Sequence, residues 1–421
     1  MTAAPPEPAQ GGVASISSCV YNLTNTIIGS GVLALPAAFA TCGSALGSGL
    51  LLVFALFSAH GLHLLSLSAQ IVDGDKASFR AVASAAAPRF ATFVDLAVII
   101  KCFGVACSYL IVVGDSLPIV AQRALPDVPF AARREPWILF AALVVTPLAL
   151  KKKLDNLRLV SAASLLCCAG IALLVVSEMF ASDRDAETSY VVADFRTLKN
   201  LPIFVFGFTC HQNIFAVNNE LRDPTRRRLD LVVVGAVSLA LAFYLIIANA
   251  GYATFGASIH SDVLTNYAAA PAIALARVAV ALEVTSAIPL QLHPSRECIK
   301  SLLQRDAPAA DYSLIDGESP SRRRSSSQGD DDPPEAPRDV EHISITLAFL
   351  AGALAIALSV RSLGKVLSLV GATGSTTISY ILPGGIYWRV GPAGPKRYLA
   401  AGQFFLGCVI MPAALTFVFL K

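Results

Sequence analysis

Residues 25–36 read NTIIGSGVLALP, where the triplet Gly29-Ser30-Gly31 follows two isoleucines and precedes an apolar run ending at Pro36. The surrounding window, 13–40, holds no charged residue and is long enough to cross a bilayer as a helix. A helix interior suits such a triplet badly. Each glycine costs about 1 kcal/mol relative to alanine, and Asn22, Thr24, Asn25 and Thr26 compete for the backbone. Close helix packing explains one small residue in four, not three in a row beside polar neighbours. The stretch is therefore expected to be a discontinuous helix. Its second half would start near Gly29 and offer N–H groups, at the positive end of its dipole, to an anion in mid-membrane. Non-helical backbone at that depth must line a cavity.

The whole chain fits this setting. It has 421 residues, 55% hydrophobic and 14% charged, with mean hydropathy +0.64, whereas soluble domains carry roughly 25% charge. An all-α integral membrane protein is implied. Apolar stretches recur at about 13–40, 44–72, 91–121, 136–150, 158–180, 199–219, 230–253, 270–300, 343–360, 363–388 and 398–420, which predicts eleven transmembrane helices. The opening MTAAPPEPAQ carries Glu7 and no basic residue, so the first helix is expected to remain as a signal anchor. With the N-terminus in the cytoplasm, the cytoplasmic loops hold about two thirds of the 32 Lys and Arg residues. Removing the short fourth span would break this alternation.

The expected organisation is a cytoplasmic tail over 1–12, helices 1–8 over 13–303, a disordered cytoplasmic loop over 304–341 and helices 9–11 over 342–421. The loop is rich in Ser, Pro, Asp and Arg and has almost nothing to bury. Its Arg322-Arg323-Arg324 run precedes Ser325, Ser326 and Ser327, a substrate for a basic-directed kinase or a contact for anionic lipid. All nine cysteines except Cys42 fall in or beside spans, so no outer disulfide framework is expected. No nucleophile–base constellation, metal motif or P-loop stands in the chain. An enzyme, a cofactor and a nucleic-acid partner are therefore not expected.

A second interruption lies in the sixth span. NLPIFVFGFTCHQNIFAVNNEL, residues 200–221, places Gly207, Thr209, Cys210, His211, Gln212 and Asn213 between apolar arms. Interrupted spans at corresponding places, here the first and sixth, mark the binding site of an inverted-repeat transporter. Five helices plus five, with one added, gives eleven. The predicted fold is thus an inverted five-plus-five repeat with broken helices 1 and 6.

NTIIGSGVLALP, FTCHQNIFAVNNEL, GYATFG (251–256), IPLQLHPSREC (288–298) and GATGSTTISYILPGGIYW (371–388) together resemble signatures of the amino acid/auxin permease family. Within it, the resemblance is to the branch of sodium-coupled neutral amino acid transporters and vacuolar or lysosomal amino acid transporters. The chain departs from plasma-membrane members in lacking an outer cysteine pair, so both a vacuolar or lysosomal-type membrane and the plasma membrane stay open.

The resemblance implies an α-amino acid substrate. Its carboxylate would take N–H groups around Gly29, Ser30 and Gly31, and the Ser30 hydroxyl. Its ammonium would meet carbonyls near Thr26, Ile27, Ile28, Thr209 and Cys210. His211, Asn213 and Ile214 would line the side-chain pocket, helped by Phe103 and Tyr109. Neither interruption carries a charged side chain, which favours a neutral substrate. In sodium-coupled relatives a hydroxyl on the eighth span helps form a sodium site. Carried over, this gives Asn25, Thr285 and Ser286, although such hydroxyls also bond their own helix backbone. His211 and Glu283 are the candidates for loading a proton. Lys101 and Glu283 would each be costly unpaired in a span, so they are expected to pair. Asp95, Asp115 and Arg277 lie nearer span ends, within reach of the interface. The expected function is secondary active amino acid transport, coupled to a proton or sodium gradient by alternating access. The competing reading is a membrane amino acid sensor that signals through a cytoplasmic segment.

Overall fold

The computed structural model describes residues 12–72, 78–150, 157–181, 187–192, 195–268, 270–303 and 336–419, with side chains absent from the description at 157–163 and 336–339. Most of the expected tail and loop, including Ser325–Ser327, lies outside the described residues. Among those described there is no β-sheet; an isolated bridge joins Ala14 and Leu221.

The helices are α1 (Ile16–Ile27), α2 (Gly31–Phe39), α3 (Ser44–Val72), α4 (Phe79–Ala86), α5 (Pro88–Ala124), α6 (Arg134–Ala149), α7 (Leu157–Ala181), α8 (Arg196–Gly207), α9 (Ile214–Glu220), α10 (Arg226–Phe255), α11 (Pro271–Leu303), α12 (Ala336–Ser359), α13 (Leu363–Val370), α14 (Leu382–Val390) and α15 (Pro395–Phe419). Between α13 and α14 the chain winds as π-helix over Gly371–Ser375 and Thr377–Ile381. Among the described residues, eight helices are long and apolar enough to cross a membrane. The expected spans outside those eight are the two interrupted ones and α6, which has 16 residues. The helix α12 begins at Ala336, inside the stretch expected to be loop.

Local chemistry sets several ends. Ser15, Ser78 and Ser362 cap α1, α4 and α13, their hydroxyls accepting from the N–H groups of Ser18, Ala81 and Lys365, which satisfies donors a helix start leaves orphaned. At the turn into α3, Gly43 has φ +86° and its backbone approaches residues 189–190 so closely that a Cβ would lie 2.7 Å from Ser189 O.

The two interrupted rods run antiparallel, side by side. At one end of the bundle, Ala14 N–H donates to Glu220 O and Arg222 N–H to Ala14 O, both at 2.9 Å. At the other, Thr197 Oγ1 donates to Thr41 O at 2.5 Å and Asn200 Nδ2 to Thr41 Oγ1 at 3.2 Å. The start of α1 therefore meets the end of α9, and the end of α2 meets the start of α8. Their breaks fall at one level, enclosed by α3, α5 and α10. The helices α3 and α10 are also antiparallel, with Asn249 Nδ2 donating to Ser48 Oγ (3.2 Å) and His63 Nδ1 bonded to Asp230 Oδ1 (2.6 Å).

In α5 against α11, the register overturns one expectation. Asp95 Oδ2 accepts from Ser301 at 3.1 Å and Lys101 Nζ donates to Gln291 Oε1 at 3.2 Å. These antiparallel pairs put Lys101 level with Gln291, two turns from Glu283, or about 12 Å along the axis. The expected Lys101–Glu283 pair is not made; Glu283 Oε1 accepts from Ser164 of α7 at 2.5 Å. The span-end charges differ too. Asp95 and Arg277 are fully buried rather than turned to the interface. Asp95 pairs with Arg80 of α4, while Arg277 Nη2 donates to Leu264 O (2.6 Å) and Tyr267 O (2.9 Å).

Candidate substrate and coupling site

The first break spans residues 28–30. Helix α1 closes with Ile28 N–H donating to Thr24 O at 2.8 Å, and Ile28 itself is extended (φ −79°, ψ 98°). Helix α2 starts at Gly31, and its N-cap Ser30 makes no side-chain cap bond. Val32 N–H and Leu33 N–H turn back onto Gly29 O (3.2 Å) and Ser30 O (3.3 Å), and no hydroxyl caps the N–H groups ahead of them at the break. Ser30 Oγ turns instead to Ser108 Oγ of α5 at 2.8 Å. Since the Ser108 hydroxyl donates to Val105 O (2.7 Å), Ser30 is the donor of that pair. The backbone is crowded here. A Cβ on Gly29 would lie 3.3 Å from Tyr109 Oη, and one on Gly31 would lie 3.2 Å from the Phe206 ring.

In the second interrupted rod the break spans residues 208–213. Helix α8 ends at Gly207, residues 211–213 form a single 3-10 turn, and α9 resumes at Ile214. Two side chains join the breaks. Asn213 Nδ2 donates to Thr26 Oγ1 at 2.9 Å. The phenol of Tyr244, on α10, stands 2.7 Å from both Ile27 O and Gly207 O, the last carbonyls of α1 and α8. From α3, Ser58 Oγ donates to Phe208 O at 2.9 Å. Ile27 O and Gly207 O thereby share one phenol hydrogen, and Phe208 O has the Ser58 hydroxyl, among the carbonyls a helix end leaves orphaned. Ser30, Thr209 and His211 are 2, 3 and 0% exposed, whereas Gly29, Gln212 and Asn213 at the same breaks are half-buried.

The structure brings Thr26, Ile27, Ile28, Gly29, Ser30, Gly31, Thr209, Cys210, His211 and Asn213 to these facing breaks. Tyr109 adjoins Gly29, but Phe103 packs edge-on against Phe349 of α12 at 5.3 Å. His211 is held by two neighbours: Nε2 is 3.2 Å from Ser58 O, and Nδ1 is 3.1 Å from Ser379 Oγ in the π-helical segment. Of the proposed sodium ligands, Thr285 Oγ1 donates to Ala281 O (2.5 Å), Ser286 Oγ donates to Glu283 O (2.8 Å), and Ser286 is exposed. No hydrogen bond among the described residues joins either to Asn25.

Sequence reading passed over Tyr244, Ser58, Ser108, Ser379 and Gln403. Each had a signal, a polar group inside an otherwise apolar span, where a partner must be found. Two cavities lie toward the two ends of the bundle. One of about 200 Å³ is lined by Ala34, Lys199, Asn200, Ser261, Ser362 and Lys365, and ends one turn along α2 from Gly31. The other, about 430 Å³, is a groove at the opposite end, lined by Arg226, Arg227 and Asp230.

Residues 12–418 match the family model described as transmembrane amino acid transporter protein. Vacuolar amino acid transporter 5 of Schizosaccharomyces pombe is 36% identical over 417 residues, covering 95% of this chain and 93% of that protein. Vacuolar amino acid transporter 6 of Saccharomyces cerevisiae is 35% identical over 399 residues, covering 88% and 89%. Among solved structures, the chain is similar to MhsT in complex with L-phenylalanine, with TM-score 0.59 at 10% identity over 98% of this chain and 100% of that one. It is also similar to the substrate-bound, outward-open state of a Na+-coupled sialic acid symporter, with TM-score 0.53 at 12% identity, covering 98% and 91%. At these identities the structural likeness bears on the fold.

Proposed function

The chain belongs to the transmembrane amino acid transporter family, and from that premise we propose that it is a proton-coupled secondary active transporter of neutral amino acids in a vacuolar-type membrane. One observation carries the reading: two half-helix breaks lie face to face in the protein interior, joined through Tyr244 and Asn213. The antiparallel pairing of the two broken rods supports an inverted five-plus-five repeat, and the short α6 with the broken pair brings the count to eleven spans. The Lys and Arg distribution supports a cytoplasmic N-terminus.

The substrate carboxylate docks on the start of α2 at Gly29–Gly31, and the ammonium on the end carbonyls of α1 and α8. No charged side chain lies in either break, which suits an uncharged substrate side chain. His211 is the proton site we favour, and Glu283 the second candidate. Sodium at Asn25 and Thr285 is the alternative, with the Thr285 hydroxyl first having to leave Ala281 O. Membership of the vacuolar relatives' family supports the location. The binding energy of the substrate is used to rock one set of helices against the other around the breaks.

Uptake of labelled amino acids into proteoliposomes, with pH and sodium gradients imposed separately, tests this. Neutral amino acids should accumulate under a pH gradient without sodium. Accumulation under sodium alone at constant pH, lost in Thr285→Ala, would replace the proton with sodium. Absence of counterflow altogether would leave a sensor.

A further inference from the structure

The hydrogen bonds around His211 converge on the hydroxyl of Ser379. Ser58 O is a carbonyl and can only accept, so His211 Nε2 carries a hydrogen towards it at 3.2 Å. In the neutral imidazole Nδ1 is therefore bare, and it accepts from the Ser379 hydroxyl at 3.1 Å. The same hydroxyl oxygen lies 3.4 Å from Thr209 Oγ1. Thr209 uses its own hydrogen on Val205 O at 2.9 Å and so has a lone pair to offer. Ser379 has one proton and two acceptors.

We propose that Ser379 is a hydroxyl switch that reads the protonation of His211 and passes it to Thr209 in the break of the second interrupted rod. When His211 gains a proton, Nδ1–H must donate, and Ser379 Oγ is the acceptor in front of it. The Ser379 hydroxyl then turns its own hydrogen to Thr209 Oγ1. Both ring nitrogens are paired in both states, so the site loads and releases a proton with no hydrogen bond lost. In the charged state Thr209 accepts as well as donates, which strengthens its bond to Val205 O by polarisation and tightens the last turn of α8. The proton thereby acts on a half-helix of the substrate site.

The surroundings hold Ser379 in place for this. It lies in the π-helical run Thr377–Ile381, a winding that recurs at functional sites. Gln403 of α15 donates through Nε2 to Ser379 O (2.9 Å) and Phe57 O (3.3 Å), so its Oε1 faces His60 Nδ1, which must donate to it. Gly61 lets α3 come this near: a Cβ there would lie 2.5 Å from Ser379 O and 2.8 Å from His211 Nε2. The titratable or charged groups of the packed elements that lie nearest this cluster have partners of their own or stand at the bundle's end. Helix α3 carries His60, turned to Gln403, and His63, bonded to Asp230 of α10. Helix α5 carries Lys101, turned to Gln291. Glu220 ends α9, at the end of the bundle. The π-helical run adds the Tyr380 phenol, which is fully buried.

The proposal rests on proton coupling at His211, and its test separates the two. Counterflow of a labelled mixture of the twenty standard amino acids is measured in proteoliposomes at equal pH on both sides, over a pH series. The wild type should show a midpoint that His211→Gln removes. Ser379→Ala takes the acceptor from the charged imidazolium, and the midpoint should fall by about one pH unit. Ser379→Thr, which keeps a hydroxyl, should restore it. Thr209→Val, which removes the second acceptor, should shift it in the same direction by less, and serves if Ser379→Ala does not fold. A flat wild-type profile would sink proton coupling and this proposal with it. A wild-type midpoint that neither Ser379→Ala nor Thr209→Val moves would overturn the switch alone.

Discussion

Replacing Tyr244 with phenylalanine removes one oxygen and leaves the ring, so its edge-on contact with Phe208 at 5.2 Å survives. The phenol is fully buried and stands 2.7 Å from two carbonyls, Ile27 O and Gly207 O. One hydrogen cannot satisfy both in full. The variant therefore loses one hydrogen bond's worth of pairing and leaves two buried acceptors without a donor. A buried group left in that state costs about 1–3 kcal/mol, and 1.4 kcal/mol is a factor of about ten. The joined arrangement of the breaks should become roughly five- to 150-fold less favourable relative to the separated one. Half-saturation for amino acid uptake in proteoliposomes should rise within that range, and the melting temperature of the purified protein should drop. Tyr244→Leu, which also loses the ring, should be worse on both measures. If Tyr244→Phe binds and melts like the wild type, the phenol does not hold the two breaks together.

Gly29→Val and Gly31→Val should each lower uptake roughly tenfold or more at equal abundance, because overpacking against Tyr109 Oη and the Phe206 ring costs about 1–3 kcal/mol; normal uptake in both would refute the crowded first break. Asp262 lies in the loop between α10 and α11, where burial first, and then the Asp115 carboxylate, push its carboxyl up to about 7, against the Leu264 N–H and Arg277. Between roughly pH 4 and 7 the folded protein holds a proton that the unfolded chain has lost, so stability falls as pH rises through that window. The melting temperature should be lower at pH 8 than at pH 5, and Asp262→Asn should flatten the difference; an equally steep Asp262→Asn would exclude this carboxyl as the cause. A tag near Gly329 should be cytoplasmic and one at the C-terminus on the opposite side, read by protease protection in sealed vesicles; both on one side would end the eleven-span topology.

Both breaks were legible because each sets small and polar residues against long apolar arms, a contrast carried by the local sequence. Gly29-Ser30-Gly31 and Thr209–Asn213 stand where the helices stop. What joins the breaks was not legible. Tyr244 is 31 residues or more from either, and its role depends on which way α10 is turned. The Lys101–Glu283 pairing failed for a related reason. Charge shows that a partner is needed, but the register of α5 on α11 chooses it, and here the choice fell on Gln291 and Ser164. Thr285 and Ser286 show the same limit of pattern reading, since a hydroxyl in a span can serve its own backbone.

The wide winding between α13 and α14 has a consequence for how the rod Leu363–Val390 can change shape. Each π-helical turn holds an extra residue relative to an α-helical one. A residue surplus of one is about 100° of rotation and 1.5 Å of length. The rod is thus out of phase with itself across Gly371–Ile381, and the face that α13 turns inward is not the one that α14 continues. Such slack can travel: if a wide turn moves by one residue, the side chains it passes swing to a new azimuth while both ends of the rod stay anchored. Ser379 lies within that phase boundary, with Lys365 near one end and Arg389 near the other. The span can therefore re-aim one hydroxyl without sliding through the bilayer.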